Sequence, residues 1–127
     1  MNMEIKMDPE LKQKWLKALR SGRYKQVKGT LHNENGYCCL GVLASVSKMG
    51  RWEELSYSTT GGKRYKFVPF KKYTDKFDDA VPYVGTFDEG SETAFGLDVD
   101  QQTTLVNMND SNNKSFKQIA DYVEREL

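Results

Sequence analysis

Apolar and polar positions follow two different rhythms in the first third of the chain. Leu11, Trp15, Ala18 and Leu19 recur at three- and four-residue spacing, with Leu16 at the edge of the same face, as in an amphipathic helix. Asp8 is placed to cap this helix, and Pro9 to fill its first position, where a missing N–H costs nothing. Gly22 is placed to end it in a left-handed conformation, so a helix is predicted over residues 8–21. Tyr24, Gln26, Lys28 and Thr30 then alternate with Lys25, Val27, Gly29 and Leu31, which is strand rhythm with one mostly apolar face. Asn35 and Gly36 both tolerate positive φ and predict a two-residue hairpin turn. Such a turn would set Glu34 opposite Tyr37 and His32 opposite Cys39.

After the segment GYCCLGVL the rhythm becomes helical. Leu40, Leu43, Val46 and Met49 line one side, Val42 joins them, and Gly50 is placed to close the element. Gly41 costs such a helix about 1 kcal/mol relative to alanine, which predicts close approach by another backbone or side chain. Residues 52–70 read as two short strands around Gly61 and Gly62, with Pro69 arguing against a central strand. Residues 71–96 sustain no period and read as an irregular connection with one strand near 83–86. Asp98 with Gln101, and Ser115 with Gln118, have capping-box spacing and predict helices over 99–108 and 116–126. Phe116, Ile119, Ala120, Val123 and Leu127 give the second of these an apolar stripe. The pattern predicts one domain over residues 1–127, with 1–7 disordered. Its class is α+β: an N-terminal amphipathic helix, a β-hairpin or small antiparallel sheet, and further helices including two at the C-terminus.

Composition adds a charge asymmetry. The formal net charge is +1, but residues 1–28 carry +5, residues 29–72 carry +4 and residues 73–127 carry −8. This split can place a cationic face on one side of the domain, suited to an anionic ligand, or the halves can neutralise one another in the fold. No apolar run approaches the roughly 18 residues that a membrane span requires, and the first residues lack the form of a signal peptide. With two cysteines and no export signal, a cytoplasmic setting is expected.

Candidate chemistry narrows on inspection. Cys38, Cys39 and His32 are too few for a zinc site, and adjacent strand residues point to opposite faces, so no metal or cofactor is expected. A thiolate on Cys38 or Cys39 working with His32 would need an electropositive, partly exposed setting, whereas an aliphatic neighbourhood favours packing. A helix-turn-helix is excluded because Asp121, Glu124 and Glu126 on the last helix would repel phosphate. The surviving signal is cationic and aromatic: Arg20, Arg23, Lys25 and Lys28 surround a tight turn carrying Tyr24. Trp52, Arg64 and Tyr65 can join them if the sheet folds back. Arginine forks suit phosphate and aromatic rings suit bases.

The block from Trp15 to Leu43, WLKALRSGRYKQVKGTLHNENGYCCLGVL, and the ending LVNMNDSNNKSFKQIADYVE resemble a family of small proteins of tailed bacteriophages and related mobile elements. Together the blocks cover about half the chain. Ala44 and Ser45 stand where the resemblance leads one to expect a further cysteine and an acidic residue. The resemblance implies a phage accessory protein, expressed in the cytoplasm of an infected bacterium and acting by stoichiometric capture. The expected partner is an anionic small molecule such as a nucleotide signal, held by a non-enzymatic protein, with no membrane and no sequence-specific DNA binding. A homo-oligomer would suit a basic face too small to close a pocket alone. Two rivals stand beside it: an inhibitor of a host protein acting through the acidic segment Asp75–Asp100, and a cysteine-dependent enzyme.

Overall fold

The computed structural model describes residues 7–55, 62–69 and 93–127, and its first helix, α1 (Pro9–Ser21), runs as its caps dictate. The Asp8 carboxylate accepts from the Leu11 N–H at 3.1 Å, and Gly22 closes the helix at φ 78°. Leu11, Trp15, Leu16, Ala18 and Leu19 face inward, and Met7, just ahead of the helix, is buried with them.

The segment after α1 departs from the predicted strand. Residues 24–30 form no regular strand; they touch the sheet through one parallel bridge, in which Tyr37 donates to the Lys25 carbonyl at 2.8 Å and accepts from Val27 N–H at 2.9 Å. Two short strands follow, β1 (His32–Asn33) and β2 (Gly36–Tyr37). They pair His32 with Tyr37 and Asn33 with Gly36, so the turn is Glu34–Asn35, one residue earlier than the Asn-Gly signal implies. The reason is the Asn33 side chain, whose Oδ1 accepts from the N–H groups of Asn35 and Gly36 and makes an Asx turn. The pairing moves by two residues, so His32 and Tyr37 still share a face.

Helix α2 (Cys39–Ser47) carries Cys39, Leu40, Gly41, Val42, Leu43 and Ala44 into the core. It ends earlier than predicted, at Lys48, which takes the left-handed conformation at φ 55°. Gly50 is not the stop but the first residue of strand β3 (Gly50–Glu54), where a Cβ would lie 2.4 Å from the Val68 carbonyl. Strand β4 (Arg64–Pro69) pairs antiparallel with β3 along its length and with β1 only at Arg64 and Tyr65. The sheet order is β2-β1-β4-β3, so β4 is central at its start and an edge by Pro69, which is where a proline is tolerated.

The expected strand near residues 83–86 lies outside the described residues. At the end of the stretch read as irregular, β5 (Thr93–Ala94) pairs with β6 (Leu97–Asp98), just beyond it, in a tight hairpin through Phe95 and Gly96, at φ 54° and 84°. Phenylalanine is a poor signal for positive φ, and burial explains it: Phe95 is in the core, its ring 5.9 Å from that of Phe67. Helices α3 (Val99–Asp110) and α4 (Phe116–Glu126) start at the two predicted capping boxes, both fully formed. α1 packs on α2 and α4, and α2 also meets α3 and β3. The fold is α+β, with helices against a small antiparallel sheet.

Asn109 locks these parts together and is fully buried. Its Oδ1 accepts from Gln26 Nε2 at 2.9 Å and from Cys39 N–H at 3.2 Å. Its Nδ2 donates to the Val27 carbonyl and to Asp110 Oδ1, both at 2.8 Å. All four hydrogen-bonding positions of the amide are used. The Trp15 indole donates to the Cys39 carbonyl at 2.9 Å, so α1, α2 and α3 meet at one cysteine.

Candidate functional site

Across the sheet, β1, β2, β3 and β4 present their aromatic residues on one face. His32 pairs directly with both Tyr37 and Tyr65, and Trp52 with Phe67 two residues further along β4, so period-2 alternation lines all five up. The His32 ring stacks on Tyr37 with centroids 3.9 Å apart and planes within 2°, and on Tyr65 at 4.7 Å and 25°. Trp52 meets the His32 ring at 4.8 Å and the Phe67 ring at 5.3 Å, both near edge-on. At the other end, Tyr24 sets its edge on Tyr37 at 5.2 Å. Phe67 is buried, while Tyr24, Tyr37, His32, Trp52 and Tyr65 are half-buried.

The polar edges of the row are fixed in part. His32 Nδ1 lies 2.8 Å from the Gly36 carbonyl, which can only accept, so Nδ1 carries the hydrogen. Nε2 is then free of partners among the described residues. The Trp52 indole donates to Ser45 Oγ at 2.9 Å, which anchors the ring to α2. Gly36 lets the segment before β1 lie against this hairpin, since a Cβ there would stand 2.2 Å from the Lys25 carbonyl.

The structure divides the residues singled out from sequence. Tyr24, Trp52 and Tyr65 come together, joined by His32 and Tyr37. Arg23 and Lys25 flank Tyr24, are exposed, and form no ion pair among the described residues. Arg64 neighbours Tyr65 in the strand and therefore faces the opposite side of the sheet. Arg20 is committed elsewhere, to Asp121 at 2.9 Å and Glu124 at 2.6 Å on α4, and these hydrogen bonds raise its pKa further. Lys28 donates to Asn113 Oδ1. The charge asymmetry is thus partly neutralised within the fold, at Arg20. His32 and Tyr37 were missed as surface residues because the alternation around an Asn-Gly pair does not say which strand will bring a second aromatic alongside.

The cysteines occupy the core. Cys39 is fully buried with its thiol 3.6 Å from the Leu105 carbonyl, and Cys38 caps α2 by accepting from the Gly41 N–H at 3.4 Å. Burial pushes the Cys38 thiol up to about 11, and raises the Cys39 thiol well above its usual value. Both stay protonated near neutral pH, and the ring of His32, the candidate base for either thiol, is held in the aromatic row. Among the described residues no group of three or more His, Cys, Asp or Glu side chains is placed to hold a metal ion. No helix among them is long and apolar enough to cross a membrane. Most of the acidic segment 75–100 lies outside the described residues; Asp98 within it caps α3.

The fold and this face define a small α+β domain with an aromatic row on its sheet, and exposed Arg23 and Lys25 beside Tyr24 in the chain. The chain belongs to the family described as Domain of unknown function (DUF8296), whose model matches residues 7–127. Neither the curated proteins nor the solved structures contain a match to it.

Proposed function

We propose that the protein is a non-enzymatic accessory protein that binds and sequesters an anionic nucleotide-type ligand on the aromatic row. The observation that carries this reading is the half-exposed run Tyr24, Tyr37, His32, Tyr65 and Trp52, with exposed Arg23 and Lys25 on either side of Tyr24 in the chain. Flat rings offer a sequence-tolerant surface for a base, each stacked contact being worth about 1–3 kcal/mol. Arginine and lysine beside them suit phosphate. His32 Nε2 adds a hydrogen-bond acceptor able to meet an exocyclic amine, since Nδ1 is already engaged. The resemblance to tailed-phage proteins supplies the setting: the cytoplasm of an infected bacterium, where capture of a nucleotide immune signal would counter host defence.

Calorimetric titration with cyclic mononucleotides, cyclic dinucleotides and linear mononucleotides tests the reading. At least one class binds with an affinity that falls as salt rises. Tyr65→Ala weakens it by about 5- to 150-fold, the equivalent of one lost stacking contact. Absence of heat with every class, or unchanged affinity in the Tyr65→Ala protein, refutes it.

A further inference from the structure

Residues 29–31, the first turn of α2 and the outer side of α3 line a cleft of about 360 Å³. Its walls are aliphatic at Leu31, Leu40 and Val106, and Val106 is one of two large hydrophobic residues exposed among the described residues. Thr103 stands at the rim beside it, and Asp110 completes this side one turn further along α3. Asp110 is the only charged residue in the lining among the described residues. Its carboxylate accepts from Asn109 Nδ2 and has no cationic partner among the described residues. Lys28, the nearest lysine in sequence to the cleft wall, is turned to Asn113 instead.

We propose that this cleft is a second binding site, taking a small aliphatic amine whose alkyl stem lies on Leu31, Leu40 and Val106 and whose ammonium group meets the Asp110 carboxylate. The size falls within the range of small-molecule pockets, which pair a mostly apolar lining with a few placed polar groups. A half-buried carboxylate without a counter-ion selects for a cation and against an anion of the same shape. The Cys38 thiol on the wall stays neutral near pH 7 and adds no competing charge. This site is independent of the aromatic row, because it shares no side chain with it.

Two-dimensional NMR titration of the full chain at pH 7 with n-hexylamine, hexan-1-ol and hexanoate tests the inference. The expected result is saturable shifts at the amides of Leu31, Leu40, Thr103 and Val106 with the amine, at least fivefold tighter than with the alcohol, and no saturation with hexanoate. Asp110→Asn keeps an acceptor for Asn109 Nδ2, and it brings the amine down to the affinity of the alcohol. Thr103→Lys, at an exposed position, places an ammonium group at the rim and abolishes amine binding. Equal binding of amine and hexanoate, shifts mapping elsewhere, or wild-type amine affinity in either variant overturns the proposal.

Discussion

Gly41 stands where the Leu31 carbonyl passes, and a Cβ built on it would lie 2.0 Å from that oxygen. The close approach exists because Cys38 N–H donates to the same carbonyl at 3.0 Å, drawing the chain before β1 onto the start of α2. The helix cost of a glycine at this position forecast such a neighbour, though not which one. Gly41→Ala is therefore expected to destabilise the protein by about 2–3 kcal/mol despite the better helix propensity of alanine, as read from urea unfolding. A gain in stability would mean that the two segments separate at little cost. Asn109 was not legible as a hub, because nothing local marks a buried asparagine; its one clue is its place one turn after Leu105 on the inward side of α3. The cysteines give a pH prediction. Both thiols hold their protons more tightly when folded; the stability that Cys38 contributes is complete below pH 9 and is lost as pH rises through about 11, and Cys39 acts in the same direction. For Cys38 alone the loss approaches about 3 kcal/mol. The urea midpoint should fall between pH 8 and 10.5, and fall less in a Cys38→Ala/Cys39→Ala variant; an equal fall in both proteins would place the effect elsewhere.

Helices were more legible than strands, for a physical reason. Their ends are decided by local chemistry, and Asp8, Asp98 and Ser115 each cap the helix that their spacing forecast. Strands of two residues carry no period, so β1, β2, β5 and β6 depend on partners that sequence does not name. Residues 24–30 alternate as a strand should, yet the segment spends its backbone groups on one parallel bridge and its Gln26 side chain on Asn109 and the Lys114 carbonyl. Two substitutions at helix ends should act in opposite directions. Ser115→Ala removes the cap that accepts from Gln118 N–H and costs about 1 kcal/mol. Lys48→Gly relieves a left-handed lysine at the end of α2 and stabilises by about 0.5–1 kcal/mol. Thermal unfolding of both variants checks the pair, and a destabilised Lys48→Gly protein would show that this lysine contributes more than its backbone angle costs.

At the scale of the whole molecule, the fold sorts the basic and aromatic residues by what they touch. The cationic turn looked like a single patch in sequence, but α4 claims Arg20 and the pleat turns Arg64 away from Tyr65. What remains together is aromatic: Trp52 and Tyr65 arrive from β3 and β4, His32 and Tyr37 from the hairpin, and Tyr24 from the segment before it. The two tryptophans divide just as sharply, since Trp15 is fully buried and Trp52 is half-exposed in the row. Fluorescence excited at the red edge of tryptophan absorption therefore reports on the row through Trp52, while Trp15 supplies a constant background. The most direct measurement is a titration of this emission with the nucleotide panel in wild-type, Tyr65→Ala and Trp52→Phe proteins. Binding on the row predicts saturable quenching in the wild type, a curve shifted to higher concentration in Tyr65→Ala, and no change in emission in Trp52→Phe. Quenching that survives in Trp52→Phe, or a wild-type signal that no nucleotide alters, would contradict it.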